Sequence, residues 1–263
     1  MLPLLQSLRI GAGFTHGFTT RAGGVSAPPY DSLNLGGKWG DDPAHVTENR
    51  RRLASAVGGE PFVARQVHGT VIRRVHAGEE RAQVARHEAD GLCSDVPGVV
   101  LGVFVADCVP ALLADPRTGA CAAVHAGWRG TVAGILPEAV QTLAREFGAR
   151  AADLRVVLGP AIGPCCFEVG LEVVDAVVSA IPDARERAII RPSPRDLADK
   201  AHVDLQGANR FLLEHAGVPA DAIDAFSACT RCDRERFFSF RRDGAATGQQ
   251  MGVIALEADR PRL

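Results

Sequence analysis

Apolar residues in this chain come mostly in short runs separated by glycine, proline and charged residues. Runs of four to eight residues that are rich in valine, isoleucine and phenylalanine are typical of buried strands. On this basis strands are predicted over residues 14–20, 62–67, 71–75, 99–105, 111–114, 121–125, 154–158, 226–228, 237–240 and 251–256.

Helical patterns are fewer and have clear ends. Asp42 before Pro43 supplies an N-cap and a first-turn proline, and Gly58 closes the helix that they begin. Three more helices are predicted, over residues 131–147, 171–181 and 204–216. Strands and helices neither alternate strictly nor separate into two halves, so the pattern indicates an α/β (α+β) fold with mixed sheets. One domain over residues 1–263 is expected from the length.

Charge and composition exclude several classes of protein. Lys and Arg number 29 against 31 Asp and Glu, so the chain has no excess positive charge to neutralise a nucleic acid backbone. The longest uncharged run, residues 244–256, is shorter than a membrane-spanning helix, which needs about 20 residues. The N-terminus lacks the basic region of a signal peptide, so a cytoplasmic location is expected. In a reducing compartment the seven cysteines are candidate free thiols or metal ligands.

A predicted hairpin brings two reactive side chains together. Asp115-Pro-Arg-Thr-Gly119 is a turn sequence between two apolar runs. If the turn is centred on its third residue, Cys108 lies opposite Ala126 and His125 lies opposite Val109. Cross-strand neighbours are about 5 Å apart at Cβ, so Cys108 and His125 are close enough to share a metal ion or a proton.

A third metal ligand is available from His68, which follows the apolar run that ends at residue 67. Two imidazoles and one thiolate would form a three-ligand zinc site with its fourth position open, as in catalytic zinc sites. Two alternatives remain: Cys108 and His125 as a nucleophile pair for acyl or amide hydrolysis, or as strand-end residues packed for structural reasons. Asp107, beside Cys108, is a candidate proton donor or a residue that orients a ligand.

The other notable cysteine motif is Cys229-Thr-Arg-Cys232. A single C-x-x-C forms a four-thiolate zinc site only if a second pair completes it, and the adjacent Cys165 and Cys166 are the available pair. A thioredoxin-like redox role requires a helix directly after the motif, whereas the sequence after it returns to a strand pattern. We expect Cys229 and Cys232 to be free thiols without metal.

Four arginines are candidates for contact with an anionic substrate: Arg21 beside a glycine pair, Arg129 downstream of His125, and Arg241 and Arg242 at a predicted strand end. The chain has neither a Walker A motif nor a dinucleotide-binding glycine fingerprint. Nucleoside triphosphate and NAD enzymes are therefore disfavoured.

Motifs spread from residue 14 to about residue 250 share one pattern, which is made up of Arg21-x-Gly-Gly-Val-Ser26, Ser32-Leu-Asn-Leu35, Asn49-Arg50, Gln66-Val-His68-Gly69, Ala106-Asp-Cys-Val-Pro110, His125-Ala-Gly-Trp-Arg-Gly130, Gly159-Pro-Ala-Ile-Gly-Pro-Cys165 and Phe238-Ser-Phe-Arg-Arg-Asp243. The pattern resembles the bacterial purine nucleoside phosphorylase family related to human laccase-domain-containing protein 1. That family was long labelled polyphenol oxidase or multicopper oxidase.

The resemblance implies a layered α/β/β/α fold and a zinc ion held by His68, Cys108 and His125. It also implies phosphorolysis of adenosine, inosine and S-methyl-5'-thioadenosine to the free base and the sugar 1-phosphate, together with adenosine deaminase activity. Cys108, His125 and Asp107 are then the expected catalytic residues. Purine nucleosides and phosphate are the expected partners, without nucleic acid or membrane, for a chain acting as a monomer or homodimer.

Two features depart from what the family and its older label imply. Gln249 stands where the family pattern has an arginine, which removes a guanidinium from the expected phosphate or substrate contacts. A coupled multicopper centre needs many imidazoles, usually in His-x-His pairs, and this chain has eight histidines and no such pair. Copper can substitute for zinc in the same site, so a copper-dependent phenol oxidase is one alternative function. A non-enzymatic nucleoside-binding module with a structural zinc is a second alternative.

Overall fold

The computed structural model describes residues 2–195 and 197–258. Its strands are β1 (Leu4–Leu5), β2 (Phe14–Thr19), β3 (Ile72–Arg74), β4 (Gly91–Ser94), β5 (Leu101–Val105), β6 (Val109–Ala114), β7 (Cys121–Ala126), β8 (Arg155–Leu158), β9 (Glu168–Gly170), β10 (Ile190–Pro192), β11 (Lys200–Val203), β12 (Ile223–Ala225) and β13 (Gln250–Leu256). Its α-helices are α1 (Pro43–Val57), α2 (Arg81–Val84), α3 (Trp128–Val132), α4 (Ile135–Phe147), α5 (Leu171–Ala180), α6 (Leu205–His215) and α7 (Phe240–Asp243).

Within the described residues the strands form three sheets. A four-stranded antiparallel sheet has the order β1-β2-β13-β5, and a three-stranded antiparallel sheet has the order β10-β11-β9. The largest sheet has the order β12-β8-β6-β7-β4-β3, and its only parallel pairs are those at its two edges. The β6–β7 hairpin therefore lies at the centre of the largest sheet.

Alternation along β6 explains why that strand is apolar throughout. Leu112 and Ala114 point into a core between the four-stranded and six-stranded sheets, whereas Ala111 and Leu113 point into a core that includes α4, α5 and α6. On the far side of the four-stranded sheet, α1 contributes Leu53 to a third core with residues of β13. The resulting order of layers is α/β/β/α, as expected.

The predicted turn between β6 and β7 is present, but the predicted register is wrong by one residue. The Asp115 N–H donates to the Ala120 carbonyl at 2.8 Å, which leaves four residues in the loop. An even number of loop residues places the centre of the turn between two residues instead of on one. His125 consequently pairs with Pro110 and not with Val109.

Three of the four predicted helices are present, and the fourth is divided in two. Asp42 caps α1 by accepting the Ala44 N–H at 2.8 Å, and Gly58 ends it with a φ of 85°. The helix predicted over residues 131–147 is instead two helices, α3 and α4. Gly134 separates them with a φ of 83°, which a right-handed helix cannot contain. Among the helices of the described residues, none combines the length and apolar character needed to cross a bilayer.

Strand predictions fail at three apolar segments, residues 62–67, 226–228 and 237–240. Phe62 makes only an isolated bridge to Leu101. Phe237 and Phe238 are fully buried but lie in a loop that leads into α7. The run at 226–228 follows β12 instead of forming a strand. Apolar runs report burial, and burial does not require a ladder of strand hydrogen bonds.

Candidate metal centre

The three predicted ligands meet at the end of the β6–β7 hairpin that lies opposite its turn. The ligand atoms of His68, Cys108 and His125 all lie within 4.8 Å of one another, and the two imidazole rings are 4.9 Å apart at 81°. Cys108 was predicted opposite Ala126, but Val109 takes that position, so Cys108 directly precedes the first pair of the hairpin. The one-residue shift preserves the proximity that the sequence predicts.

Asp90 holds this centre together and was not among the residues predicted from the sequence. Its Oδ1 accepts the His125 Nδ1–H at 2.8 Å and the His68 backbone N–H at 2.9 Å. Its Oδ2 accepts the backbone N–H groups of Val67 at 3.0 Å and Gly69 at 2.7 Å. The only signal in the sequence is a single acidic residue directly before the apolar strand β4. One buried carboxylate thus fixes both the loop that carries His68 and the ring of His125.

The hydrogen bond from Asp90 determines which nitrogen of His125 is available. Burial raises the pKa of the Asp90 carboxyl, but hydrogen bonds from His125 and the Gly69 and Val67 N–H groups outweigh burial and lower that pKa. The ionised carboxylate is only an acceptor, so Nδ1 carries the proton and Nε2 is the nitrogen left for a metal. A carboxylate behind a ligating histidine is the usual outer partner in metal sites.

Cys108 and His125 also perturb each other. Burial alone would raise the pKa of the Cys108 thiol, but the His125 and His68 rings lower it to about 6. Burial would lower the pKa of His125, whereas Cys108 and Asp90 raise it to about 9. The thiolate is therefore the favoured form of Cys108 near neutral pH, and thiolate is the form that binds metal.

The centre requires a glycine at position 127. A Cβ on Gly127 would lie 2.9 Å from His68 Cδ2 and 3.2 Å from Cys108 Sγ, closer than packed atoms normally approach. The Gly127 φ of −74° is accessible to any residue, so close approach to the two ligands is the reason for glycine here.

We expect Gly127→Ala to weaken metal binding at this centre, because the added methyl pushes apart His68 and Cys108. The expected loss of affinity is about tenfold or more, similar to the loss of an outer partner. Titration against a competing chelator measures it. Gly59→Ala is the matched control, since its Cβ would meet Val100 Cγ2 at 3.5 Å and the Gly98 carbonyl oxygen at 3.9 Å, both ordinary contact distances. Equal affinity of the two variants would contradict the prediction.

The donor set fits zinc. Two imidazoles and a thiolate are ligands that zinc accepts in a tetrahedral arrangement, and three protein ligands leave one position for water or substrate. Imidazole and thiolate also suit copper, which binds such ligands more tightly in general. The geometry therefore supports a metal site, and the ligands alone do not determine the metal.

The candidate centre lies in the wall of a cavity of about 570 Å³. Its lining combines apolar and aromatic side chains with a few cations, which is typical of small-molecule sites. The lining residues are Lys38, Trp39, Arg50, Val63, Ala64, Arg65, Gln66, His68, Ala85, Phe104, Val105, Ala106, Asp107, Cys108, His125, Ile162, Phe167, Phe240, Arg241 and Gln249.

Of the four predicted arginines, the structure brings only Arg241 to this cavity. Arg21 donates to the carbonyls of Asp31 and Arg234 and lies over the Phe238 ring, so its guanidinium is used within the protein. Arg242 donates to the backbone carbonyls of three loop residues, Thr230, Arg231 and Phe237.

Arg129 is exposed and lies over the Trp128 ring, outside the cavity lining. The Arg241 Nη1 donates to the Glu168 carbonyl at 2.7 Å, and its guanidinium lies 5.2 Å from the centre of the Phe167 ring. Within the described part of the chain, no protein acceptor is within hydrogen-bond reach of the other Arg241 side-chain donors. Arg241 is therefore the predicted arginine that is positioned to meet an anion.

Three further cations, Arg50, Lys38 and Arg65, line the same cavity, and Arg65 is paired with Glu88 at 2.7 Å. The Arg50 Nε donates to the Leu35 carbonyl at 2.9 Å, and its guanidinium lies 5.5 Å from the centre of the Phe104 ring. Burial lowers the pKa of Arg50, an indication of a partly desolvated charge. Arg50 had appeared only as part of a motif, without a role.

Gln249, which replaces the expected arginine, lines the cavity and fills the space above Gly36. A Cβ on Gly36 would overlap the Gln249 Oε1. The departure from the family pattern thus falls at the cavity itself.

Asp107 lies beside the cavity with its carboxylate already occupied. Oδ1 accepts the Thr230 hydroxyl and Oδ2 accepts the Arg241 backbone N–H, each at 2.6 Å. The residue has a φ of 92°, which is uncommon outside glycine and is held here by those bonds. This arrangement favours an orienting role for Asp107 over proton donation.

Cys165, Cys166, Cys229 and Cys232 form a second cluster, with all four sulfur atoms within 4.8 Å of one another. All four are free cysteines. The geometry runs against the expectation of metal-free thiols and favours the four-thiolate alternative.

A family model described as multi-copper polyphenol oxidoreductase laccase matches residues 15–257. The chain belongs to this family. Relatives that are similar to this chain carry a different name. A purine nucleoside phosphorylase of Deinococcus radiodurans is 41% identical over 259 residues, which are 97% of this chain and 93% of the relative. The purine nucleoside phosphorylase YlmD of Geobacillus stearothermophilus is 39% identical over 251 residues, covering 92% and 90%.

Solved structures of the family have the same fold. The crystal structure of the hypothetical protein YfiH from Bacillus licheniformis has a TM-score of 0.86 to this chain at 37% identity, and the match covers 93% of each chain. The layered fold of this chain is therefore that of the family.

The family's copper name fits poorly with this member's histidines. Only His68 and His125 belong to a candidate metal group within the described residues, and the other group consists of four cysteines. A coupled copper cluster needs more imidazoles than these two.

Proposed function

We propose that this chain is a zinc-dependent purine nucleoside phosphorylase that also deaminates adenosine. The observation that carries the proposal is the His68–Cys108–His125 centre in the wall of a cavity large enough for a nucleoside. The purine nucleoside phosphorylase names of close relatives support the substrate class. Adenosine, inosine and S-methyl-5'-thioadenosine are the proposed substrates, and residues 1–263 act as one domain.

His68, Cys108 and His125 hold the metal. When bound, zinc supplies Lewis-acid activation of water at neutral pH, the chemistry that hydrolytic removal of the purine 6-amino group requires. Asp90 keeps the proton on His125 Nδ1 and holds the His68 loop in place. Asp107 orients Cys108 from the preceding position through its bonds to Thr230 and Arg241.

The cavity walls suit a nucleoside with a phosphate beside it. Phe104, Phe167 and Phe240 offer aromatic faces on which a purine can stack. Arg241 supplies a guanidinium for the phosphate that attacks the anomeric carbon, and Arg50 adds a second positive charge. In this cavity, attack of phosphate on the anomeric carbon would break the bond between the sugar and the base. The products are the free purine and the sugar 1-phosphate.

The charge state of Cys108 and His125 also favours a second candidate, a metal-free Cys-His hydrolase. A thiolate beside a protonated imidazole is the arrangement that such enzymes use. The two candidates differ in their response to metal removal. A Cys-His hydrolase keeps its activity in a chelator, whereas the zinc enzyme loses it.

Phosphate dependence tests the proposal directly. Deamination uses water, so conversion of adenosine to inosine should persist in phosphate-free buffer, while release of adenine and ribose 1-phosphate should stop. Arg241→Ala should reduce phosphorolysis tenfold or more with a smaller effect on deamination, because a charge-assisted hydrogen bond contributes about 1.5–3 kcal/mol. Separate chromatographic detection of inosine and adenine distinguishes the reactions.

Arg129→Ala is the matched control, since Arg129 is exposed and outside the cavity lining. It should leave both rates unchanged. Equal losses of phosphorolysis and deamination in Arg241→Ala would remove Arg241 as the phosphate contact.

A further inference from the structure

A second set of metal-ligating side chains lies where two loops cross. Cys165 and Cys166 belong to the loop between β8 and β9, and Cys229 and Cys232 belong to the segment between β12 and α7. An isolated bridge pairs Ala161 with Cys229 and brings these segments together. About 65 residues of sequence separate the two pairs of cysteines, and the fold places their sulfur atoms in one cluster.

The spacing of the sulfur atoms matches a tetrahedral metal site. Cys232 Sγ lies 3.3 Å from Cys166 Sγ and 3.7 Å from Cys165 Sγ, and all four sulfur atoms lie within 4.8 Å of one another. Zinc binds cysteine sulfur at about 2.3 Å, so four sulfur atoms around it are about 3.8 Å apart. One ion therefore fits among the four sulfur atoms with small adjustments of side chains.

Neighbouring groups already donate hydrogen bonds to the sulfur atoms. The Gly163 backbone N–H donates to Cys229 Sγ at 3.2 Å, and the Arg231 guanidinium donates to Cys166 Sγ at 3.4 Å. Such donors stabilise the charge of a metal-bound thiolate. A Cβ on Gly163 would lie 3.3 Å from Cys165 Sγ and 3.2 Å from Cys229 Cβ, so glycine allows the loop to approach the cluster closely.

We propose that Cys165, Cys166, Cys229 and Cys232 bind a second zinc ion in a closed, four-thiolate structural site. Four protein ligands leave no open position, so this zinc stabilises structure and takes no part in catalysis. Binding releases protons from the thiols and involves no change of oxidation state. The proposal depends on these four cysteines alone and is independent of the proposed nucleoside chemistry.

The site would fasten the segments that support the catalytic cavity. The Thr230 N–H donates to the Ala161 carbonyl at 3.0 Å, and the Thr230 hydroxyl donates to Asp107. The Ile162 N–H donates to the Asp107 carbonyl at 2.9 Å, and Ile162 lines the cavity. A zinc ion that joins Cys165 to Cys229 thus anchors the residues around Asp107, next to the catalytic ligand Cys108.

Native mass spectrometry of protein that is expressed with zinc and purified under reducing conditions tests the proposal. We expect two zinc ions per wild-type chain, one in Cys229→Ser or Cys232→Ser, one in His68→Ala, and none in the double variant His68→Ala/Cys229→Ser. Cys121→Ser is the matched control, because Cys121 is buried in β7 and belongs to neither cluster; it should keep both ions. A wild-type chain with a single zinc that Cys229→Ser leaves in place would overturn the proposal.

Cobalt provides a second readout that keeps all four cysteines. Cobalt-loaded His68→Ala protein should show the strong thiolate-to-metal absorption of a four-sulfur site. Absence of that absorption in folded protein, or a mass that has lost two hydrogens through a disulfide within the cluster, would contradict a zinc site. A negative result for the four-cysteine site would not argue against the His68–Cys108–His125 centre, because the zinc content of Cys229→Ser measures that centre separately.

Discussion

Replacement of Cys108 by serine is expected to remove one zinc ion per chain and to abolish deamination of adenosine. A hydroxyl is a much poorer zinc ligand than the thiolate, which His125 and His68 favour by lowering the pKa of Cys108 to about 6. A catalytic metal contributes several kcal/mol to transition-state stabilisation, so the expected loss in rate is about a thousandfold or more. Zinc content by elemental analysis and inosine formation by chromatography measure the two effects.

His68→Ala and His125→Ala should behave in the same way, because each removes a ligand of the same ion. Cys121→Ser is the control. Burial raises the pKa of Cys121 to about 12, so this thiol does not ionise near neutral pH. The Cys121→Ser protein should therefore keep both its zinc content and its activity. A folded Cys108→Ser protein that retains all its zinc would eliminate the His68–Cys108–His125 centre as the metal site.

Asp90→Asn is expected to impair both metal binding and folding, although the two side chains have nearly the same shape. Each Asp90 oxygen accepts two hydrogen bonds, Oδ1 from His68 and His125, and Oδ2 from Val67 and Gly69. Whichever way the amide turns, two of these four donors face its NH₂ group. Each buried donor without an acceptor costs about 1–3 kcal/mol, so the free energy of unfolding should fall by about 2–6 kcal/mol.

Zinc affinity of Asp90→Asn should fall about 10–100-fold, because His125 loses the partner that fixes its tautomer. Denaturant unfolding and chelator competition measure the two losses. Asp95→Asn is the matched control, since Asp95 is only partly buried and pairs with Arg74 near the surface, where ion pairs contribute about 1 kcal/mol or less. Wild-type zinc affinity in Asp90→Asn would show that Asp90 is not needed to position the ligands.

The sequence predicted the metal ligands because each one lies at or near an end of an apolar run. His68 follows residues 62–67, Cys108 precedes β6 and His125 lies near the end of β7, and ends of buried segments are where polar side chains gather. The register of the hairpin was harder to predict, because one loop residue more or less shifts every pair. Cys108 and His125 stay adjacent under that shift, so the site was predicted correctly although the register was wrong.

Asp90 escaped prediction for a physical reason. Three of its four hydrogen-bond donors are backbone N–H groups of residues 67–69. Nearly every residue type carries a backbone N–H, so the sequence does not indicate which ones bind a carboxylate. The same limit applies to Arg21 and Arg242, whose guanidinium groups donate mainly to backbone carbonyls. An arginine that looks available for phosphate in the sequence is used internally in the structure.

The cysteine cluster shows that contacts between residues far apart in the sequence could not be predicted. Nothing in the sequence around Cys165 or Cys229 indicates that the two loops cross, because the contact depends on the order β12-β8-β6 in the largest sheet. Sheet order is set by packing of the whole chain. The local spacing therefore identified the four cysteines as candidate ligands, but it could not show whether their sulfur atoms lie close together.

The most direct test of zinc-dependent nucleoside chemistry follows adenosine in protein that is stripped of metal and reloaded with either zinc or copper. We predict that zinc restores inosine formation in phosphate-free buffer and restores adenine and ribose 1-phosphate formation when phosphate is added. Copper should restore neither to the same extent. Zinc-loaded protein that releases no product from adenosine, inosine or S-methyl-5'-thioadenosine, or stripped protein that stays fully active, would contradict the proposed function.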